Sequence, residues 1–151
     1  SAKGRSSFRW VPNGIPGVEV RMPVLFSEGV VKGRITLEQF VALTSTNHAK
    51  IYGLYPRKGS LAVGADADIV LWDPTRKVSL TNSILHHNCD YTPYEGQSIQ
   101  AWPRVTLCRG REVWREGQYL GEAGFGHFLP CDRPQPAAVR GRGHKGPLWT
   151  A

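Results

Sequence analysis

The sequence predicts an α/β protein, in which the end of an α/β domain is followed by part of a small β domain. Apolar residues at helical spacing are confined to the first third of the 151 residues, and short strand-like apolar runs come after them. So few short strands leave open sheet edges and a thin core. We therefore expect segments outside this chain to complete the β domain.

The helices are predicted from apolar spacing and from capping residues. Residues 18–31 carry the apolar series of a buried helix. Thr36 and Gln39 have the spacing of a capping box, which marks the start of a second helix. Asn47 can cap a third, short helix, and Gly53 can end it in the left-handed conformation.

The strands are predicted from short apolar runs between turn residues. Residues 67–72 form such a run, and residues 78–80 alternate as a half-buried strand does. Residues 105–108 and 111–114 flank a turn that contains glycine, which indicates a β-hairpin. After Pro130 the sequence loses periodicity and becomes rich in proline, glycine and arginine, so we predict an extended or disordered basic tail.

The charge distribution argues against nucleic-acid binding, although the formal net charge is +7. Residues 1–9 contribute +3 and residues 132–151 another +3, which leaves the body of the chain close to neutral. No apolar run approaches the ~20 residues needed to span a bilayer. Residues 1–9 lack the apolar segment of a signal peptide. We expect neither a nucleic-acid partner nor a membrane partner.

The cysteines indicate the cellular compartment. Cys89, Cys108 and Cys131 form an odd, sparse set without CxxC spacing, which predicts a reducing, cytoplasmic setting. A secreted protein with one disulfide and one free thiol is the alternative.

Five segments carry a family resemblance through their order and spacing. They are VPNGIPGVE at 11–19, LFSEGV at 25–30, LYPRKG at 54–59, VGADADIVLWDP at 63–74 and DYTPYEG at 90–96. Together they resemble the C-terminal region of bacterial D-hydantoinases and dihydropyrimidinases, within the amidohydrolase superfamily. The Gly-x-Asp-Ala-Asp segment alone indicates only an amidohydrolase, whereas the first and last segments narrow the resemblance to the hydantoinase branch.

The resemblance implies a metal-dependent (β/α)₈ TIM barrel beside a small β-sandwich built from both ends of the full chain. Residues 1–55 would then be the last barrel loop and helices, 56–130 the C-terminal half of the β-sandwich, and 131–151 the tail. The family hydrolyses cyclic amides with two divalent metal ions, usually zinc. All of its metal-ligand positions precede Ser1. The resemblance therefore implies no catalytic or metal-binding residue here, an N-terminal remainder as partner, and a homo-oligomer.

The substrate loop is the one part of the family's active site that the resemblance places in this chain. It implies that Asn13 and Gly14 bind the cyclic amide, with Asn13 bonding the ring mainly through its backbone. Taken alone, the Asn-Gly dipeptide favours an ordinary turn. The match of the surrounding segment reverses that preference.

Two other groups of polar residues resemble functional sites. His86, His87 and Cys89 suggest zinc, but adjacent histidines on an extended strand point in opposite directions, so we favour a partly buried strand or loop near a subunit contact. Asp66 and Asp68 resemble a carboxylate pair for acid–base work. We instead expect them to flank a turn and to accept hydrogen bonds from nearby backbone N–H groups.

Two functions from different classes fit these observations. The first is an enzyme, of which this chain is an inactive C-terminal part without metal ligands. The second is a non-catalytic structural relative of dihydropyrimidinase that keeps the fold and assembles as a tetramer. Such relatives usually depart from Pro-Asn-Gly at the substrate loop, so the retained Asn13 and Gly14 favour the enzyme.

Overall fold

The computed structural model describes residues 7–10 and 13–137, with the backbone alone for Phe8. The helices are α1 (Val18–Leu25), α2 (Leu37–Val41) and α3 (Asn47–Ile51), with π-helical segments Phe26–Val31 after α1 and Ala42–Thr46 after α2, and short 3₁₀ turns at Phe8–Trp10 and Asn82–Ile84. The strands are β1 (Ile69–Ser79), β2 (Ser98–Cys108), β3 (Arg111–Arg115) and β4 (Gln118–Tyr119). Among the described residues, no helix is both long and apolar enough to cross a membrane.

The predicted capping box is confirmed at the start of α2. The Thr36 hydroxyl accepts a hydrogen bond from the Gln39 backbone N–H at 3.2 Å, and the Gln39 side chain accepts one from the Thr36 N–H at 2.8 Å. The predicted cap at Asn47 is wrong. Residues 42–46 stay helical, so α2 and α3 form one continuous helical run in which Asn47 is a buried interior residue. Gly53 ends that run at φ +66°, as predicted.

The sheet is antiparallel and has the order β1-β2-β3-β4. Most of the two predicted strands, 67–72 and 78–80, lies in one longer strand, β1, which begins at Ile69, ends at Ser79 and is irregular between Asp73 and Lys77. The turn between β2 and β3 is confirmed, with positive φ at Arg109 and Gly110. In the described chain the outer edge of β1 pairs with no strand.

The core lies between the helices and β2, in two clusters. Val20 of α1 packs with Leu80 and Ile99 in the first cluster. Phe26 and Phe40 pack with Ala101 in the second, where the Trp72 ring stacks on Phe26 at 4.9 Å between centroids. Ile99 and Ala101 both lie on β2, on either side of Gln100 where the register shifts opposite Asp73–Lys77, and both are buried. One strand thus supports both clusters, and it fixes α1 against the sheet.

The chain beyond β4 returns to the helices. Two guanidinium groups contact the Phe125 ring, with Arg109 Cζ 4.1 Å and Arg111 Cζ 5.2 Å from the ring centroid. Residues 131–137, called here the C-terminal strap, form neither helix nor strand and contact the end of α3. Asp132 N–H donates to Gly53 O at 2.9 Å, and Gln135 N–H donates to Lys50 O at 2.8 Å. The rest of the predicted basic tail, 138–151, lies outside the described residues.

Candidate functional site

The loop that the sequence analysis singles out lies immediately before α1. Asn13 and Gly14 are exposed, and Gly14 has φ +82° with no atom within 4 Å of the position of an added Cβ. That backbone conformation favours glycine. The loop ends at Gly17, whose carbonyl accepts the Arg21 N–H at 2.9 Å. Within the described part of the chain no hydrogen bond involves Asn13 or Gly14, so their backbone groups are available to a ligand.

Glu19, in the first turn of α1, forms a two-point contact with His86. One carboxylate oxygen accepts the His86 backbone N–H, and the other accepts from the ring Nδ1, both at 2.8 Å. A carboxylate only accepts hydrogen bonds, so Nδ1 carries the proton. The His86 ring packs edge-on against Trp114 of β3, with 5.1 Å between centroids. This contact joins the start of α1 to the segment between β1 and β2.

A cavity of about 370 Å³ lies beside this contact, and its walls include Glu19, His86, His87 and Cys89. Both ring nitrogens of His87 are shielded from solvent and have no hydrogen-bond partner among the described residues. In the same part of the chain, no three His, Cys, Asp or Glu side chains are grouped to hold a metal ion. The arrangement is that of an irregular loop segment packed on the start of α1.

Asp66 and Asp68 are engaged by cations and by the backbone. Lys58 Nζ contacts both carboxylates, at 2.9 Å for Asp66, and Arg57 Nε lies 3.0 Å from Asp66. Asp68 also accepts the Arg109 backbone N–H at 2.8 Å, which ties the β2–β3 turn to the start of β1. The expected hydrogen bond from a backbone N–H is present at Asp68. The side chain of Asp66 instead contacts the cations Lys58 and Arg57, so for this residue the expected backbone contact is wrong.

The same contacts shift three ionisation equilibria. The hydrogen bond from Lys58 holds the pKa of Asp66 below its usual value. Burial acts to raise the pKa of Asp68, but hydrogen bonds from Lys58 and the Arg109 N–H outweigh it and lower that pKa. Burial acts to lower the pKa of Lys58, but the hydrogen bonds to Asp68 and Asp66 outweigh it and raise that pKa.

We predict a stability loss in acid that depends on Asp66 and Asp68. Their pKa values are lower in the folded state, so their contribution is present above the ordinary pKa of 3.8 and is lost as the pH falls through the folded pKa values. The melting temperature should fall in that window, and the fall should be shallower in Asp66→Asn. An unchanged acid dependence in this variant would contradict the assignment.

Comparisons with known proteins show the family to which the chain belongs. The chain matches the profile of the amidohydrolase family over residues 7–113. It belongs to the amidohydrolase family. It is 46% identical over 127 residues to a D-hydantoinase of Ralstonia pickettii, covering 84% of this chain and 28% of that protein. A D-hydantoinase of Geobacillus stearothermophilus is 48% identical over 126 residues, with 83% and 27% covered.

Solved structures of D-hydantoinases and a dihydropyrimidinase are also similar to this chain. A D-hydantoinase from Bacillus sp. AR9 superposes with a TM-score of 0.84 at 44% identity, over 88% of this chain and 29% of that protein. A dihydropyrimidinase from Brevibacillus agri gives 0.77 at 47% identity, over 82% and 28%. The predicted fold class and the predicted resemblance are therefore confirmed. The chain spans somewhat more than a quarter of the length of these relatives.

The contact between Glu19 and His86 was not predicted. Both residues lie in or near matching segments, since Glu19 ends the VPNGIPGVE segment and His86 shortly precedes DYTPYEG. The acidic residue in the first turn of α1 is the one local signal, because such residues favour helix N-termini. Nothing in the local sequence relates it to a histidine 67 residues further on.

Proposed function

We propose that this chain is the C-terminal part of a metal-dependent hydrolase that opens hydantoin or dihydropyrimidine rings to N-carbamoyl amino acids. The observation that carries the proposal is the exposed turn of Asn13 and Gly14 before α1, inside a chain that is 46–48% identical to two D-hydantoinases. We call the polypeptide in which an N-terminal remainder precedes this chain the complete enzyme.

The proposed role of the turn follows from hydrogen-bonding chemistry. A cyclic amide presents a carbonyl acceptor and an N–H donor on adjacent ring atoms. A turn whose backbone N–H and C=O groups are unpaired offers the complementary donor and acceptor. Gly14 adds no side chain that would keep the ring away from the backbone. Asn13 and Gly14 therefore bind the substrate and leave bond cleavage to groups outside this chain.

Two divalent metal ions, zinc in this proposal, belong to the N-terminal remainder of the complete enzyme. The described residues of this chain do not fit such a centre, because they contain no group of three potential ligands. The metal would supply an activated water and polarise the ring carbonyl. In this proposal the described residues hold the substrate ring and contribute no group of metal ligands.

The N-terminal remainder is also the proposed structural partner of the sheet. No strand of the described residues pairs with the outer edge of β1, and Val70 and Leu71 on that strand are exposed. An open edge with exposed apolar side chains is a template for another strand. Association of the complete enzyme into a cytoplasmic homodimer or homotetramer, without nucleic-acid or membrane partners, is part of the same proposal.

The proposal predicts that the 151-residue chain alone opens no ring. The chain should show no turnover of hydantoin or dihydrouracil in the presence of zinc, whereas the zinc-loaded complete enzyme should open one of these rings. The measurement is release of the N-carbamoyl product by both proteins, prepared in parallel. Turnover by the chain alone would contradict its assignment as an inactive part. A folded, metal-loaded complete enzyme without turnover would support the alternative, a non-catalytic structural relative of dihydropyrimidinase.

A further inference from the structure

Among the described residues, no hydrogen bond involves Asn13 or Gly14, and the element that supports this turn from its C-terminal side is α1. Gly17 ends the loop, and α1 begins at the next residue. The N-cap position of α1 forms no side-chain hydrogen bond. The start of this helix therefore lacks the usual local support.

The missing support comes from the segment between β1 and β2. His86 donates its backbone N–H and its Nδ1–H to the two carboxylate oxygens of Glu19, at 2.8 Å each. Two hydrogen bonds to one planar carboxylate fix its direction as well as its distance. The Glu19 side chain is 29% exposed, which limits competition from water, while the His86 side chain is 58% exposed. Trp114 of β3 holds the ring from one side.

A second contact from the same segment acts on the same turn of the helix. The Tyr94 ring lies close enough that a Cβ at Gly17 would be 3.7 Å from Cε2. Tyr94 and Leu85 also pack on the cluster that contains Val20. Residues 85–94 thus contact both the last residue of the loop and the first turn of α1.

We infer that His86 and Glu19 form a positioning pair that sets the Asn13-Gly14 turn for the ring of a cyclic amide. The inference rests on the proposed function, because it concerns the orientation of the loop that is proposed there to bind the substrate. Neither residue touches the substrate. The pair fixes the start of α1. The five-residue loop from Asn13 to Gly17 is continuous with that helix, so its position is set by the helix start. The ring must be bound in the ground state and in the transition state alike, so a displaced loop should weaken both and appear mainly as a higher KM.

The test compares two substitutions of His86 in the complete enzyme. Asparagine places its amide nitrogen near the position of Nδ1, so His86→Asn keeps a donor for Glu19. Glutamine places its nitrogen near the position of Nε2, so His86→Gln does not. We expect KM to rise by about tenfold to a hundredfold in His86→Gln and in Glu19→Leu, with a much smaller fall in kcat. His86→Asn should stay close to the wild-type KM.

Three further measurements separate positioning from general damage. Bound metal should be unchanged in all variants, because no ligand has been altered. Glu28→Gln, which removes a different carboxylate with cationic neighbours, should leave KM unchanged. Hydrogen exchange at the Arg21 amide, which bonds to Gly17 O, should quicken in His86→Gln and not in His86→Asn. Equal KM values and equal Arg21 exchange in wild type, His86→Gln and Glu19→Leu would overturn the inference.

The contact between Glu19 and His86 can be tested even if the proposed function is wrong. A wild-type complete enzyme that opens no cyclic amide would overturn the proposed function. Exchange at Arg21 would then still decide whether the pair fixes the start of α1. Faster exchange in His86→Gln alone would support the contact, and unchanged exchange would overturn it.

Discussion

Replacing Leu80 with alanine should destabilise the packing of the sheet by about 3 kcal/mol, within the range of about 2–5 kcal/mol for Leu→Ala in a protein core. Leu80 is 0% exposed and packs on Val20 and Ile99, so the shortened side chain would leave a cavity that its neighbours cannot fill without moving α1. The measurement is native-state hydrogen exchange in the complete enzyme. The Leu80 and Gly96 amides, which pair Leu80 with the start of β2, should exchange about a hundredfold faster.

A matched variant distinguishes cavity formation from loss of a leucine as such. Leu61 is 82% exposed, so Leu61→Ala removes the same atoms without opening the core. Its effect on the same amides should be within about 0.5 kcal/mol of zero. If Leu80→Ala and Leu61→Ala had equal effects, the cluster around Val20 would not be the part of the core that holds the sheet.

Replacing Gly53 with alanine should detach the C-terminal strap from the helices. Gly53 has φ +66°, and a Cβ there would lie 1.9 Å from the backbone oxygen of Asp132. A left-handed conformation costs alanine about 1–2 kcal/mol, and the clash forces the strap outward. The hydrogen bond from Asp132 N–H to Gly53 O would be lost, at about another 1 kcal/mol. Limited proteolysis should then cut residues 131–137 faster than in the wild type.

Gly33→Ala is the control, because it isolates the conformational strain. Gly33 has a nearly identical φ of +69°, but an added Cβ meets nothing within 4 Å. This variant should be destabilised only by the conformational strain, about 1–2 kcal/mol. Its strap should stay as resistant to protease as in the wild type. Equal protection of residues 131–137 in the two variants would show that the strap does not rest on Gly53.

Local signals predicted the parts of the fold that depend on local geometry. The capping box of Thr36 and Gln39 and the turn at Arg109 and Gly110 follow from a few neighbouring residues, and both are confirmed. The prediction that Asn47 caps a helix was wrong. The preference of asparagine for a cap position is weak compared with the packing of the helical run, whose residues Phe40 and Ala49 are buried. Tertiary packing decided there.

Strand length could not be predicted for a similar reason. The first half of β2, residues 98–104, contains Pro103 and lies opposite the irregular part of β1, so the sequence signal for a strand is weak there. It is a strand because it pairs with the end of β1 and covers α1. For the candidate site, the motif around Asn13 predicted a turn, and the structure has an exposed bend at Asn13 and Gly14. The contact of Glu19 with His86 depends on the folded topology, which periodicity does not contain.

The shared role of β2 in the two core clusters has a consequence during protein synthesis. A nascent chain emerges from the ribosome with its N-terminal side first. Ile99 is synthesised 79 residues after Val20, which at ribosomal rates is a delay of about 4–16 s. Val20, Phe26 and Phe40 lack the cover of β2 in that interval. We therefore expect chaperones that bind apolar segments to engage the helices of this chain before its sheet exists.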